Sequence, residues 1–276
     1  MNAGANALRL AMASLVMLAL DPAARAQATM DMGAMQGDSA PADARDPHAY
    51  ADGVDFTRGA DRPVLMDHHR FRSVLVDNFE LAREDGDTVA PFDLEAWYGK
   101  TYDRAVLKSE GELRGGDLED ARTELLWAHA IAAYWDTQLG VRYDSGEGPN
   151  RSWLAAGIEG LAPYRFDLEL TAYVGEASRT ALRLDAACEL LITQRLVLEP
   201  RFEAHFYGKA DPARGLGSGL AELSLGLRLR YEVRREFAPY VGIEWRDEHG
   251  GTELMTRAAG HDPSDTRAVL GLKFWF

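Results

Sequence analysis

The feature that most constrains the fold of this chain is a strict alternation of apolar and polar residues. Between residues 196 and 207 one face carries Leu196, Leu198, Pro200, Phe202, Ala204 and Phe206, and the other carries Val197, Glu199, Arg201, Glu203, His205 and Tyr207. Residues 219–231 repeat the pattern, with leucines opposite glutamate, serine and arginine. Because successive side chains of a strand point to opposite faces, this period predicts β-strands with one apolar and one charged face.

The alternation divides residues 71–276 into about twelve segments, each close to the length of a tilted strand that crosses a bilayer. The predicted strands are 71–82, 91–101, 105–114, 121–131, 134–143, 151–160, 165–174, 180–191, 195–207, 219–231, 237–246 and 267–276. The stretch Thr123–Ile131 fits either phase of the pattern. Long polar links after the odd strands alternate with short links after the even ones, as in outer-membrane barrels.

A soluble β-sandwich also alternates and is the competing interpretation. Here, however, the polar face is crowded with glutamate and arginine, as a narrow lumen would be. Aromatic residues also gather near the short links, as in an interfacial girdle: Tyr134, Trp135, Tyr164, Phe166, Phe237 and Tyr240. The sequence therefore predicts an all-β fold, an antiparallel transmembrane β-barrel with both termini in the periplasm. Outer-membrane barrels as a class present a C-terminal aromatic residue to the barrel assembly machinery, and Phe276 fits that role. The assembly machinery and outer-membrane lipids are therefore predicted partners.

The N-terminal part of the chain lacks this alternation of apolar and polar residues. Residues 1–26 resemble a cleaved Sec signal peptide, with Arg9, an apolar run from Leu10 to Leu20, and the site Ala24-Arg25-Ala26. Residues 27–70 are rich in Met, Asp, Ala and Gly without periodicity, which predicts a flexible periplasmic segment. The predicted location is thus the outer membrane of a Gram-negative cell. A formal charge of −14 argues against nucleic acid and for cations as partners, and the single cysteine, Cys188, excludes an intrachain disulfide.

Methionine is the most specific chemical feature of the sequence. After the predicted signal peptide the chain has five methionines, of which Met30, Met32 and Met35 fall within "MDMGAM". Because this stretch is polar and has no periodicity, burial in a core does not explain these methionines. Their thioethers are, however, soft ligands suited to Cu(I). In "MDHH", Met66, His68 and His69 add ligands that also accept Cu(II). A linker that contains methionine by chance remains the alternative.

The inward face of the predicted barrel supplies a second set of candidate metal ligands. It carries Glu169, Glu199, Glu203, His205, Glu222 and Glu244. Carboxylates and a histidine can hold or pass a divalent cation. The favoured interpretation is nevertheless a set of opposed charges that fills a small lumen, because arginines alternate onto the same face: Arg114, Arg142, Arg183, Arg201, Arg228, Arg230 and Arg246.

Enzymatic activity is not predicted. His249 and His261 lie near acidic residues in the last long link, but such residues are common in loops. An outer-membrane hydrolase is therefore a remote alternative. A general narrow porin or structural barrel without metal selectivity is the main one.

Long stretches of the chain resemble the CopB/PcoB family of copper-resistance outer-membrane proteins. They include "LKSEGELRGG", "TELLWAHAIAAYWDTQLGVRYD", "GLAPYRFDLELTAYVGEASRTALRL", "LLITQRLVLEPRFEAHFYGKADPARGLGSGL", "GLRLRYEVRREFAPYVGIEWRDEHGGT" and "RAAGHDPSDTRAVLGLKFWF". The resemblance implies a barrel preceded by a Met/His-rich periplasmic region that binds copper, with a periplasmic multicopper oxidase of the CopA type as partner.

The same resemblance assigns copper ligation to Met30, Met32 and Met35. The chain departs from the family pattern in having a short tail with few histidines, which shifts more of the function to the acidic lumen. The predicted function is a copper-binding outer-membrane barrel that exports or sequesters periplasmic copper and contributes to copper resistance and homeostasis.

Overall fold

The computed structural model describes residues 69–84, 87–146 and 148–276. Its strands, in chain order, are β1 (Phe71–Glu84), β2 (Asp87–Gly99), β3 (Asp103–Arg114), β4 (Asp117–Ala132), β5 (Trp135–Gly146), β6 (Arg151–Ala162), β7 (Phe166–Gly175), β8 (Arg179–Cys188), β9 (Leu190–Leu191), β10 (Leu196–Tyr207), β11 (Gly219–Tyr231), β12 (Phe237–Glu248) and β13 (Ser264–Trp275). A helix, α1 (Gly250–Ala259), lies between β12 and β13. The predicted signal peptide and the predicted periplasmic segment up to residue 68 lie outside the described residues.

The strands form one closed antiparallel sheet. Each strand pairs with the next along the chain, and β1 pairs with β13 to close the ring. The short β9 continues β8, since both pair with β10, so the barrel has twelve strands. Closure satisfies the backbone hydrogen bonds of every strand and leaves no open edge. The predicted fold class, an antiparallel barrel of about twelve strands, is confirmed.

The links between strands differ from the prediction in two ways. The links after β3 and β7 were predicted to be long, but Gly115–Gly116 and Glu176–Ser178 are tight hairpin turns, because flanking polar residues extend the strand pairing. Gly115 and Gly116 both have positive φ, which a turn of two residues between twisted strands requires. The last long link contains α1, which period-two analysis does not detect.

The outward face of the barrel is apolar and exposed. Leu125 (56% exposed), Trp127, Leu139 and Val141 form one such patch across β4 and β5. The alternate residue Leu126 is buried inside, which settles the phase of the ambiguous Thr123–Ile131 stretch. A wall of exposed large apolar side chains is what a lipid-facing surface requires, whereas a sandwich would bury them. The closed barrel therefore supports an outer-membrane location.

Most of the predicted aromatic girdle is exposed beside the short turns. Tyr164 (90% exposed), Tyr134, Phe166 and Phe237 all have solvent- or lipid-accessible rings there. The predicted placement of Tyr240 in this group is wrong, since its side chain is only 4% exposed. It points into the lumen and its hydroxyl donates to Glu80 at 2.9 Å.

Part of the lumen is filled by side chains. An apolar cluster of Val106, Leu126, Trp153, Tyr173 and Ala181 packs between β3, β4, β6, β7 and β8. The guanidinium of Arg142 lies 4.5 Å from the centre of the Tyr173 ring, a cation–π distance. No helix among the described residues is both long and apolar enough to cross a membrane.

Candidate functional site

The lumen contains a cavity of about 490 Å³ that is strongly acidic. Its lining has eleven acidic and six basic side chains, an excess of five acidic groups. The carboxylates are Asp77, Asp93, Glu95, Glu110, Glu124, Glu159, Asp167, Glu169, Asp185, Glu189 and Glu199, and the cations are Lys108, Arg122, Arg165, Arg183, Arg201 and Lys273. An enclosed excess of one charge raises the local concentration of ions of the opposite charge.

The cavity lies at the short-turn end of the barrel. It reaches Arg165, which belongs to the turn between β6 and β7, and it includes Lys273 near the end of β13. At this end the chain enters β1 directly after the exposed His69, and the backbones of Val74 and Phe276 exchange two hydrogen bonds. Short turns and chain termini mark the periplasmic side of outer-membrane barrels. The cavity therefore lies at the end of the barrel at which β1 begins.

The six lumen residues predicted as candidate ligands all face inward, and each has a charged partner. Glu169 accepts a hydrogen bond from Lys108 at 2.8 Å, and Glu199 accepts one from Arg230 at 2.6 Å. His205 Nε2 lies 2.8 Å from Glu203 Oε1, which also accepts from Arg183 at 2.5 Å. Of these candidates, Glu169 and Glu199 line the cavity.

Glu222 and Glu244, like Glu203, lie outside the cavity lining. Glu222 lies 3.2 Å from Arg246. Glu244 accepts hydrogen bonds from Arg228 and Arg267, both at 2.9 Å. These pairs match the favoured interpretation of the sequence, in which opposed charges fill the lumen.

Ion pairs cross the lumen at the cavity, and two of them join strands that are not neighbours. Arg183 on β8 donates to Glu110 on β3 at 3.1 Å, and Arg122 on β4 donates to the same carboxylate at 2.5 Å. Arg201 on β10 donates to Asp77 on β1 at 2.9 Å. We call these residues the cross-barrel belt. All five belt residues also belong to the cavity lining.

A second group of buried charges lies further towards the loops. Arg228 donates to Glu80 at 2.7 Å and to Glu244 at 2.9 Å. Arg267 donates to Glu244 at 2.9 Å and to Glu112 at 2.8 Å. We call these five residues the arginine network. Each of its guanidinium groups bridges two carboxylates, a charge-assisted arrangement that fixes geometry.

The long loops cover the outward end of the barrel. Asp211 accepts two hydrogen bonds from Arg151, at 2.7 and 3.1 Å, and lies 3.3 Å from Arg179. The hydrogen bond from Arg151 lowers the pKa of the Asp211 carboxyl. Arg214 in the same loop donates to Asp120 at 2.7 Å, and the Gly217 amide donates to Thr252 of α1 at 2.9 Å. These contacts tie the loops to one another and to the strands.

Three further carboxylates of the cavity lack a full set of partners, and two of them, Asp167 and Glu124, were not predicted from the sequence as ligand candidates. Glu95 and Asp167 make no hydrogen bond or ion pair among the described residues. Glu124 is 2% exposed and its Oε2 has no hydrogen-bond partner there. Lys108 was also missed, although the charges at Lys108, Glu110 and Glu112 alternate in β3 and predict an inward face.

The described residues contain no group of three His, Cys, Asp or Glu side chains arranged to hold a metal ion. Met30, Met32, Met35, Met66 and His68 lie outside the part of the chain that the structure describes, so their role in copper ligation stays a prediction. His249 Nδ1 lies 3.4 Å from Asp247 Oδ2 at the start of the last long loop. His261, after α1, is exposed.

Known proteins with similar sequences share one description. A family model described as copper resistance protein B precursor (CopB) matches residues 70–276. Copper resistance protein B of Escherichia coli is 42% identical over 203 residues, which cover 74% of this chain and 69% of that protein. A copper resistance protein B homolog of Pseudomonas syringae pv. tomato is 38% identical over 257 residues, which cover 90% of this chain and 85% of that protein.

The similar solved structures are more distant in sequence. The NanC porin is 14% identical, with a TM-score of 0.48, over 74% of this chain and 99% of its own. The KdgM porin is 12% identical, with a TM-score of 0.45, over the same shares.

Proposed function

The chain belongs to the copper resistance protein B family, and from this premise we propose that it is a copper-binding outer-membrane barrel that sequesters or exports periplasmic copper. Membership of the family supports a role in copper resistance. The observation that carries the proposal to a site is the acidic cavity at the short-turn end, where carboxylates outnumber cations by eleven to six. Such a chamber attracts cations from the compartment that it faces.

In this proposal the N-terminal segment and the cavity act in sequence. After removal of the signal peptide, thioethers of Met30, Met32 and Met35 capture copper in the periplasm, since thioethers are soft ligands that need not lose a proton. Met66, His68 and His69 extend the ligand set up to the first strand. Copper then passes to the cavity. A periplasmic multicopper oxidase of the CopA type is the proposed partner at this end.

The closed outward end supports sequestration as the resting mode. The cross-barrel belt spans the lumen within the cavity lining, with Arg183 linked to Glu110 and Arg201 linked to Asp77. The loops above it are tied by Arg151 and Asp211. Export through the barrel would require both the belt and the loops to part.

The proposal is tested by copper binding of the full-length protein and by the copper content of the periplasm. The test variant is Met30/Met32/Met35→Ser, and the matched control is Met255→Ser, which removes a methionine of α1 outside the tail. We expect the triple variant to lose tail-dependent Cu(I) binding and to change periplasmic copper, while the control retains both. Copper binding and periplasmic copper that are the same for the wild-type protein and for the triple variant would refute the proposal. That result would favour a barrel without metal selectivity.

A further inference from the structure

The short-turn end of the barrel exposes a group of arginines. Arg195 lies in the turn before β10, and Arg234 and Arg235 lie in the turn between β11 and β12. All three are exposed, and none forms an ion pair with another side chain in the part of the chain that the structure describes. Arg70, just before β1, is also exposed and donates only to the neutral Tyr98 hydroxyl, at 3.2 Å. We call these four residues the basic rim.

Backbone contacts join the elements that carry the basic rim. The Glu232 amide donates to the Arg195 carbonyl at 2.8 Å, which places the two turns side by side. Trp275 Nε1 donates to the Arg235 carbonyl at 2.9 Å, so the second turn also rests against the end of β13. Since β13 pairs with β1, the four arginines lie on one continuous arc of the barrel end. This arc is a fixed surface with positive charge.

Few negative groups on the same arc are available to the basic rim. Glu189 and Glu232 are both engaged by Arg230, at 2.5 and 3.9 Å. The exposed Glu236 and the carboxylate of Phe276 remain, and an oxygen of Phe276 accepts from the Val74 amide at 2.9 Å. Four arginines therefore face two negative groups. In the lumen, by contrast, the arginines of the belt and of the arginine network are paired with carboxylates.

The basic rim also has an apolar component. Ile192 (56% exposed) lies in the turn that carries Arg195, and Val233 (51% exposed) lies in the turn that carries Arg234 and Arg235. Both residues are outside the strands. A surface that combines unpaired guanidinium groups with exposed apolar side chains suits an acidic peptide that has apolar residues of its own.

The chain that precedes β1 has that composition. Residues 31–52 contain five aspartates and one arginine, together with two methionines and a tyrosine. Eighteen residues separate Asp52 from Arg70, and an extended chain of that length spans up to about 60 Å. A covalently attached ligand has an effective concentration in the millimolar range, so individually weak ion pairs suffice to hold it.

We propose that the basic rim is a docking surface for residues 31–52 of the same chain, held by ion pairs between aspartates of this segment and Arg195, Arg234 and Arg235. The inference goes beyond the proposed function, because it depends on charge and not on copper. Docking places Met32 and Met35 at the end of the barrel where the acidic cavity lies. Anionic lipid headgroups are the competing occupant of the rim.

The test measures the distance from the segment to the rim in the full-length mature protein. Nitroxide labels at Ser39→Cys and at the exposed Gln194→Cys, in a Cys188→Ala background, report this distance by double electron–electron resonance. In nanodiscs of neutral lipid we expect a population of short distances at about 0.01 M salt. It should disappear at about 1 M salt, where the Debye length is only about 3 Å.

The main variant is Arg195/Arg234/Arg235→Gln. We expect the ratio of short to long distances to fall by about tenfold, because three exposed ion pairs are lost. The matched control is Arg83/Lys209/Arg257→Gln, which removes three exposed cationic side chains at the long-loop end and changes the net charge equally. This control should stay within about twofold of the parent.

Two further variants test the ion pairs from the side of the segment. Asp38/Asp43/Asp46→Asn leaves the barrel unchanged and should lose the short distances as the rim variant does. Arg195/Arg234/Arg235→Glu should also lose them, and adding Asp38/Asp43/Asp46→Arg to it should restore them. Far-UV circular dichroism checks that each barrel is folded.

The inference is overturned if wild type shows no short distances at low salt, or if the rim variant and its control lose them equally. It is also overturned if phosphatidylglycerol in the nanodiscs abolishes the short distances, since headgroups then occupy the arginines. Cu(I) binding by wild type and by Met30/Met32/Met35→Ser, measured in parallel, decides the proposed function separately. Docking without methionine-dependent copper binding would leave this inference standing and remove the proposed function.

Discussion

The two ends of the lumen use the same residue types to opposite effect. In the arginine network near the loops, Arg228 and Arg267 each bridge two carboxylates, and their guanidinium groups are almost fully buried. In the cavity near the short turns, carboxylates outnumber cations, and Glu95 and Asp167 have no partner among the described residues. The difference shows that an inward-facing charge is not by itself a ligand. What matters is whether the neighbouring strands supply its counter-charge.

The two ends of the lumen differ in the free energy that it costs to remove a charged partner. A buried guanidinium that bridges two carboxylates is costly to disturb, because removing one partner leaves an uncompensated charge. A carboxylate beside a cavity can instead be compensated by an ion from solution. The network end is therefore suited to holding the barrel closed, and the cavity end is suited to exchange.

The largest expected effect comes from breaking the arginine network. Arg228→Met leaves Glu80 without its arginine in a site where the side chain is 1% exposed. We expect the free energy of unfolding to fall by about 3–5 kcal/mol, measured by urea unfolding in lipid vesicles. The control Arg257→Met removes an exposed pair with Glu253 on α1 and should cost less than about 1 kcal/mol. Equal losses in the two variants would contradict a buried network.

Both ends of the lumen are enclosed by the same barrel wall, whose outer face we expect to contact lipid. Leu125→Arg places a charge on the exposed outer face of β4, and near the bilayer centre this should cost about 2–4 kcal/mol. Leu254→Arg is the matched control, since Leu254 is 68% exposed on α1 in the loops. The control should stay within about 0.5 kcal/mol of wild type. Vesicle insertion and urea unfolding measure both, and a neutral Leu125→Arg would refute the lipid-facing assignment.

At the cavity end the loss of a cation should be milder. Lys273 lies 2.5 Å from Asp77, and Asp77 also has Arg201 at 2.9 Å. Because Asp77 keeps one cation and adjoins the cavity, Lys273→Met should lower the free energy of unfolding by about 1.5–3 kcal/mol. The same urea series gives this value. A loss as large as that of Arg228→Met would remove the distinction between the two ends.

The smallest effect is expected in the loops that cover the outward end. The pKa of Asp211 is lowered by its hydrogen bond from Arg151, so its stabilising contribution is present above the unfolded pKa of about 3.9 and is lost as the pH falls through the lower folded value. The urea midpoints of wild type and Asp211→Asn should therefore differ at about pH 6 and converge below about pH 3. A difference that grows on acidification would contradict the lowered pKa.

Much of the barrel could be predicted because alternate residues of each strand face two different environments, the lipid and the lumen. Every predicted strand overlaps an observed one, and the inward positions of Glu169, Glu199 and Glu203 follow from the same period. Prediction from the sequence failed where periodicity carries no information. It missed α1, it treated the Gly115–Gly116 turn as part of a long loop, and it placed the buried Tyr240 among exposed aromatics.

Sequence alone determined the fold class, the lipid-facing wall and the charged character of the lumen, because each is a property of residues close together in the chain. Tertiary structure alone decided which charges neutralise one another. Arg183 and Glu110 are 73 residues apart and meet only because the sheet closes on itself. Closure likewise brings Lys108 to Glu159 and Glu169 and leaves one oxygen of Glu124 unpaired. Counter-charges across a lumen depend on strand tilt and barrel diameter, which no local pattern encodes.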